Sequence, residues 1–510
     1  MHPRHFSISH RDKPAIIMAD CDQTITFGEL EEEANKGAHL LRDLGIRNGD
    51  TIAICLKNSA EFFLLYWAGQ RAGVYMVPIA THLSTDEVAY IINDSNAKLL
   101  ITSAEVRSVH DLLKNYRTLT PGLKTILSSG PPLDQTQRWE DLVEPFPATP
   151  ITDERSGFHL CYSSGTTGRP KGVKLPLVGG EVTDPNLWVE RNQRRYDLDE
   201  HSIYLCPAPL YHVAPLLYSV TSHRLGSTVI LMKKFSPEGA LEAIEKHKVT
   251  YTQMVPTMFI RMLRIPEKQR LNYDTSSLTH VIHSAAPCPK EVKFQMFDWL
   301  GDIIYEQYAG SEANGSTTIS PQEWRERPGS VGKADRGIIH ICNEDGDELP
   351  TGEEGLIYFE GASFFEYLND PQKTKDARNP KHDDWTTIGD IGRVDDEGYL
   401  YLTDRKSFVI ISGGVNIYPQ EAENLLMQHP AVADVAVIGV PDPDFGQTVK
   451  AIVQPMVSEQ AGDDLADELM EYCRSKISHI KCPKSIDFES EFPRMENGKL
   501  FKKELIARYQ

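Results

Sequence analysis

Apolar and polar positions alternate along most of residues 1–400 in two rhythms, one of a buried strand and one of an amphipathic helix. TFGE at 26–29 reads as a capping box, in which Thr26 and Glu29 satisfy each other's backbone N–H groups, and it opens a helix that ends near Gly45. Residues 51–56 read as a buried strand, apolar without interruption from Ile52, as a strand covered on both faces is. Residues 58–72 carry Phe62, Phe63, Leu65, Tyr66 and Ala68, which predicts a helix buried over much of its surface. STDE at 84–87 caps a further helix, and 98–102 reads as the next strand. The rhythm returns later: Ser236-Pro237 opens a helix through His247, VTYTQMV at 249–255 is strand-like, 278–283 is a strand and 290–300 a helix. Such alternation predicts an α/β fold with parallel-type sheets and crossover helices.

After Tyr401 the pattern changes. Residues 432–440 and 448–454 are strand-like and separated by the turn-rich PDPDFGQ, 464–478 is helical, 485–488 is a short strand and 499–508 a final helix. We therefore expect a large N-terminal domain of several subdomains, residues 1–403, followed by a small α+β domain, residues 404–510. No Gly/Ser linker marks the join, which is placed near Asp404-Arg405.

Bulk properties narrow the function classes. A chain of 510 residues exceeds one ordinary core, and 40% hydrophobic with 25% charged residues is the composition of a soluble globular protein. A formal net charge of −20 argues against electrostatic binding to nucleic acid or to anionic lipid. No apolar run is long enough to cross a bilayer, and MHPRHFSISHRDKP lacks the apolar stretch of a secretory signal. The eight cysteines are scattered without a CxxC, which fits reduced thiols in cytoplasm and not a cysteine metal site.

The densest chemical signal is YSSGTTGRPKG at 162–172, which packs three glycines, four serine and threonine hydroxyls and one lysine behind an apolar stretch at 158–161. Backbone N–H groups and hydroxyls in such a loop can wrap phosphate oxygens while Lys171 adds a point charge. Glycine content alone would equally describe a surface turn, and neither GxxxxGK[ST] nor GxGxxG is present. The segment resembles the phosphate loop of the adenylate-forming superfamily of acyl- and aryl-CoA synthetases, luciferases and peptide-synthetase adenylation domains. Four further segments follow in the family's order: YAGSE at 308–312, Asp390 in TTIGDIG, TDRKSFVIISGGVNIYPQEAE at 403–423, and FPRMENGKLFKKEL, which carries Lys499. The chain most resembles bacterial acyl-CoA synthetases of the AMP-forming type.

That resemblance implies a role for each matched residue. Ser163, Ser164, Thr166, Thr167 and Lys171 would cradle the β- and γ-phosphates of ATP, with Gly165 and Gly168 admitting the backbone. Glu312 would be the Mg²⁺ ligand, and Ser311 would keep a hydroxyl for the α-phosphate. Tyr308 would pack on adenine, and Ala285, Ala286 and Pro287 would form the small-residue turn between the adenine and acyl pockets. Asp390 would accept the ribose hydroxyls, Arg405 would bind near the ribose or phosphate, and Lys499 would stabilise charge as the carboxylate attacks the α-phosphate. For the second half-reaction, the small domain would rotate to withdraw Lys499 and present Ser412, Gly413 and Gly414 to the pantetheine arm of coenzyme A. Ser407 stands where relatives commonly carry a charged residue, so the pivot position is unassigned. Lys481 and Lys484 are weaker candidates for coenzyme A phosphates, and a solvated surface explains them as well.

PAPLYHVAPL at 207–216 resembles the border of the acyl pocket, and VPTMF at 255–259 would add a mostly apolar wall. No aspartate lies there to pair a substrate ammonium, so the expected acid is hydrophobic: a medium or long fatty acid, or a bulky alicyclic acid of sterol or terpenoid type. His212 could gate that pocket or orient the carboxylate, and is equally a packed wall residue; Cys288 reads as structural. The expected activity is conversion of the acid with ATP to acyl-AMP and pyrophosphate, then transfer to coenzyme A with release of AMP. The alternative is an acyl-AMP ligase loading a carrier protein. The expected partners are small molecules only, with a homodimer left open.

Overall fold

The computed structural model describes residues 2–163, 170–177, 180–361, 364–494 and 500–509, apart from the side chain of Lys503. The contacts divide the chain into two compact units. One comprises Met1–Met254, Arg261–Ile282 and Phe364–Thr374, the other Val255–Ile260, His283–Ser363 and Lys375–Gln510. No helix among the described residues is long and apolar enough to cross a membrane.

In the first unit the two rhythms of the sequence become parallel sheet covered by helices. Both capping boxes form: the Thr26 N–H donates to Glu29 Oε2 at 2.8 Å ahead of helix Phe27–Asp43, and the Ser84 N–H donates to Glu87 Oε2 at 2.9 Å ahead of helix Thr85–Asp94. One sheet runs in the order Gln137–Arg138, Thr125–Ser128, Leu99–Thr102, Thr51–Cys55, Tyr75–Pro78 and Phe158–His159, all neighbours parallel. Its central strands are buried along their whole length, which is why they read as unbroken apolar runs. A second parallel set is Tyr251–Met254, Ile203–Cys206, Thr228–Leu231 and Pro14–Met18, with Thr24–Thr26 antiparallel on its edge. A small antiparallel sheet joins Cys161–Ser163, Lys171–Lys174 and Glu366–Tyr367. Three buried histidines, His2, His159 and His223, sit among these elements; the His223 Nδ1 accepts from Trp67 Nε1 at 3.1 Å.

The second unit departs from the expected parallel pattern. After helix Lys290–Leu300, strands Ile304–Ala309, Ser316–Ile319 and Ser330–Arg336 pair antiparallel in succession. Strands Ile338–Cys342, Gly355–Glu360, Asp390–Val394 and Leu400–Arg405 also pair antiparallel. Where the link is only a few residues, as between Ala309 and Ser316 and between Val394 and Leu400, no crossover helix fits and a hairpin is the available solution.

Residues 410–509 supply two apolar clusters of their own, one around Ile410, Leu426, Val437, Ala451 and Leu469, the other around Ala436, Ile452, Phe492 and Leu505. Strands Val432–Asp442 and Gly446–Pro455 form a long hairpin, with Ser485–Phe488 parallel to the latter. This hairpin reaches into the PDPDFGQ segment that the sequence assigned to turn: Pro441 and Asp442 pair with Gln447 and Gly446. Helix Asp463–Arg474 ends before 478 and helix Lys502–Tyr509 starts after 499.

Candidate functional site

Asp390 opens its strand directly opposite Arg405, the last residue of Leu400–Arg405, and this register brings a carboxylate to a guanidinium. Arg405 Nε donates to Asp390 Oδ1 at 2.8 Å, and the Tyr308 hydroxyl donates to Asp390 Oδ2 at 2.8 Å. Asp390 is buried, so both bonds form in a low-dielectric setting where charge-assisted contacts are strong. Each carboxylate oxygen retains a second lone pair, so the group is held in place yet still able to accept hydrogen bonds.

The electrostatics follow from that arrangement. Burial, then the charge of Asp390, pushes the Tyr308 phenol well above its ordinary value, so it stays a donor. Burial alone would lower Arg405, but Asp390, Tyr308 and Glu312 together outweigh it and the guanidinium is held charged. Glu312 is buried close by: its charge acts on both Tyr308 and Arg405, and its Oε2 lies 2.9 Å from where a β-carbon on Gly310 would sit. The Ala313 N–H closes the turn onto the Gly310 carbonyl at 3.1 Å, with Ser311 half-buried on it.

Among the described residues no cluster of three or more histidine, cysteine, aspartate or glutamate side chains could hold a metal alone. A buried carboxylate such as Glu312 fits Mg²⁺ that arrives on substrate phosphates, because that ion commonly takes one or two protein carboxylates and completes its shell with phosphate oxygens and water.

Ala285, Ala286 and Pro287 lie on the turn between strand His280–His283 and helix Lys290–Leu300. Ala285 adopts φ +74°, a left-handed conformation that costs a residue with a β-carbon about 1–2 kcal/mol. Strain of this kind concentrates at ligand clamps and active sites. Below the turn the sequence reading missed a charged cluster. Lys293 Nζ donates to Glu306 Oε2 at 2.7 Å, His283 Nε2 lies 3.4 Å from the same oxygen, and all three residues are buried. The Cys288 thiol is pushed up by burial and by Glu306, which keeps it an inert thiol.

Other candidates belong to the first unit. Ser163 and Lys171 face each other at the mouth of a hairpin stem, where Tyr162 pairs with Gly172. The stem is fixed by the Tyr162 hydroxyl, which donates to Asp94 Oδ2 at 2.7 Å, and Lys171 Nζ sits 5.9 Å over the Tyr367 ring. Ser164, Gly165, Thr166, Thr167 and Gly168 lie outside the described residues, as does Lys499. His212 is the N-terminal flanking residue of helix Val213–Leu225, half-buried against Tyr211 at a ring distance of 4.7 Å. Asn58 shapes the segment before it: its Nδ2 donates to the Ala208 carbonyl at 2.9 Å and its Oδ1 accepts from the Leu210 N–H at 2.8 Å.

Ser412, Gly413 and Gly414 form a tight hairpin in which Ser412 pairs with Val415. The two glycines are its whole loop, at φ +58° and +80°, the mirror-image turn that two-residue hairpins need and that other residues resist. Gly413 is anchored by its N–H to the Phe445 carbonyl at 2.9 Å, and the exposed Phe445 ring lies alongside. At the expected join, the Asp404 carboxylate accepts the backbone N–H of Arg405 at 2.7 Å and of Gln420 at 3.1 Å, and Ser407 lies in the 3₁₀ turn Lys406–Phe408. Lys481 is paired with Glu421 at 2.6 Å and Lys484 donates to the His479 carbonyl at 3.2 Å, which fits a structural use of both.

Comparison with known proteins matches residues 5–367 to the AMP-binding enzyme family and residues 421–499 to the AMP-binding enzyme C-terminal domain. The long-chain-fatty-acid–CoA ligase FadD13 of Mycobacterium tuberculosis is 32% identical over 500 residues, covering 97% of this chain and 95% of its own. A 2-succinylbenzoate–CoA ligase of Bacillus licheniformis is 32% identical over 501 residues, covering 97% and 96%. Among solved structures, ATP-bound MatB from Rhodopseudomonas palustris superposes with a TM-score of 0.84 at 26% identity, covering 100% of this chain and 99% of that one.

Proposed function

The chain belongs to the AMP-binding enzyme family, and from that premise we propose that it joins a hydrophobic carboxylic acid to coenzyme A at the expense of ATP. It is an acid–thiol ligase of the AMP-forming type. The finer reading concerns which residues act and on which acid. The observation that carries it is the Tyr308–Asp390–Arg405 group with Glu312 beside it: a positioned carboxylate with spare lone pairs, a cation and a second carboxylate, all brought together by three strands and a turn.

In the first half-reaction a carboxylate oxygen of the acid forms a bond to the α-phosphorus of ATP as the bond to the pyrophosphate oxygen breaks. Asp390 accepts the ribose hydroxyls, Arg405 neutralises charge near the nucleotide, and Tyr308 packs on adenine while steadying Asp390. Ser163 and Lys171, with Ser164, Thr166 and Thr167, take the outer phosphates, and Lys499 offsets the charge that builds between the acid and the α-phosphate. Glu312 would hold Mg²⁺, which when bound would neutralise charge on the phosphates. In the second half-reaction the thiol of coenzyme A attacks the acyl carbonyl and AMP leaves with the electron pair. We assign this step to the Ser412–Gly414 hairpin, with residues 404–510 turning as a module about the segment that begins at Asp404.

The acid is assigned from the apolar segments 207–216 and 255–259, where Tyr211, Leu216, Met258 and Phe259 are buried and His212 is the ionisable group. A medium or long fatty acid, or a bulky alicyclic acid, suits such walls, with soft selectivity at about 0.8 kcal/mol per buried methylene. The test is a panel of acids incubated with purified protein, Mg²⁺ and ATP, reading pyrophosphate and AMP release with and without coenzyme A. Acyl-CoA formation with apolar acids is expected; release of neither product with any acid overturns the reading.

A further inference from the structure

Trp385 lies between two imidazoles. Its ring stacks on His340 at a centroid distance of 3.6 Å and an interplanar angle of 7°, and on His382 at 3.9 Å and 15°. His340 is pinned in turn by two carboxylates, with Nδ1 2.9 Å from Glu348 Oε1 and Nε2 2.9 Å from Glu360 Oε2. Strand register explains the meeting. Glu360 stands opposite both Ile338 and Trp385, and His340 follows Ile338 on the same face of the sheet. A ring held at both nitrogens fixes the plane of the indole against it, which a freely packed aliphatic neighbour would leave loose.

That plane bears on the segment that follows. Thr386 pairs with Phe359, and its carbonyl accepts from Asn314 Nδ2 at 3.2 Å, where Asn314 is buried just beyond Glu312. Ile388 Cδ1 lies 2.9 Å from where a β-carbon on Gly310 would sit, so the same segment backs the turn that carries Glu312. The Thr387 hydroxyl accepts from the Gly389 N–H at 3.0 Å, and the Gly389 carbonyl accepts the Lys406 N–H at 2.9 Å. Asp390 comes next. Residues 386–389 therefore have one end on the stacked indole and the other on the carboxylate that Tyr308 and Arg405 hold. Each link between the two is a covalent, packed or hydrogen-bonded contact, so a shift of the indole is passed along it.

We propose that His340 is a positioning residue for nucleotide binding: through its stack on Trp385 it sets the course of residues 386–389 and so the placing of Asp390. This rests on the reading of Asp390 as the ribose-binding group and adds a residue that acts through it.

The experiment measures the KM for ATP and the KM for the acid by AMP release, using purified full-length protein. H340A is expected to raise the KM for ATP by about 3- to 30-fold, the range for a group that acts along a packed network, and to leave the KM for the acid unchanged. H340R is expected to bring the KM for ATP back towards wild type, because a guanidinium stacks on an indole and donates to both carboxylates. Added to D390N, H340A is expected to change the KM for ATP by less than about two-fold, since the group it acts through is already impaired. Should H340A not fold, H340Q, whose flat amide reaches one carboxylate only, is read in its place, with a smaller rise and the same split between the two KM values expected. A wild-type KM for ATP in the variant that folds, an equal rise in the KM for the acid, an H340R no better than that variant, or the full ratio surviving in D390N overturns the proposal. An unchanged KM for ATP in D390N itself overturns the ribose assignment and this inference together, whereas an effect of D390N without one of H340A or H340Q overturns this inference alone. Absence of AMP release with every acid overturns the ligase reading and carries this inference with it.

Discussion

Arg405 and Asp390 face each other across neighbouring antiparallel strands, and the guanidinium holds one carboxylate oxygen at 2.8 Å while Tyr308 holds the other. The carboxylate is thus held in one orientation, the preorganisation that its proposed ribose-binding role requires. D390N keeps the shape and removes the charge that pairs with Arg405. Its KM for ATP is expected to rise by about 10- to 100-fold, the range for losing a charge-assisted hydrogen bond. Steady-state kinetics with ATP varied would check this, and an unchanged KM would remove Asp390 from the nucleotide site.

Tyr308 touches the same carboxylate through a single hydroxyl. Y308F retains the ring and forfeits the bond, so a smaller rise in the KM for ATP, about 3- to 10-fold, is expected. Equal effects of Y308F and D390N would mean that the hydroxyl itself contacts the nucleotide.

Lys499 lies outside the described residues, so its role rests on the sequence pattern around it. K499A is expected to lower the rate of adenylate formation by at least about 100-fold, as removal of a donor from a charge-stabilising site does. Binding of ATP and transfer from supplied acyl-AMP should change far less. Pyrophosphate exchange at the wild-type rate would show that another group carries the charge.

At Gly414 a β-carbon meets nothing within 4 Å, so substitution acts through the backbone alone. With φ at +80°, G414A is expected to destabilise the hairpin by about 1 kcal/mol and to slow acyl-CoA formation more than pyrophosphate release. Equal slowing of both half-reactions would separate this hairpin from the thioester step.

Burial lowers His159 to about 4 and His223 to about 3, from an ordinary value of 6.5. In the unfolded chain these imidazoles take up protons as pH falls through 6.5, while in the folded chain they remain neutral. The unfolded state therefore binds more protons between about 6.5 and 4, and stability falls as pH falls across that window. Melting curves from pH 7.5 to 4.5 should show a declining Tm, with a shallower slope in H223Q. An identical slope would place the acid sensitivity elsewhere.

Local rules made much of this molecule legible in its sequence. The Thr26–Glu29 and Ser84–Glu87 boxes, the buried strand at Thr51–Cys55 and the helix Lys290–Leu300 each depend on neighbours a few residues apart. Tyr308, Glu312, Asp390 and Arg405 were found through motif resemblance, and the structure joins Tyr308 and Arg405 to Asp390 although 82 and 15 residues separate them from it. What escaped depends on distant partners. The antiparallel pairing of Ile304–Ala309 with Ser316–Ile319, and of Asp390–Val394 with Leu400–Arg405, follows from short links, which apolar alternation does not report. The continuation of the Val432–Asp442 hairpin through proline and aspartate is secured by cross-strand pairing that overrides turn propensity. His283, Lys293 and Glu306 look like ordinary polar residues until the fold buries them on one another.

Ala285 carries a methyl group where the backbone would settle more easily without one. A glycine there would relax the chain, so the molecule forgoes some of its own durability to keep that corner stiff. With A285G, gained heat resistance and lost turnover would be two faces of one design compromise, in which the stiffness of this turn is worth more than a more comfortable fold.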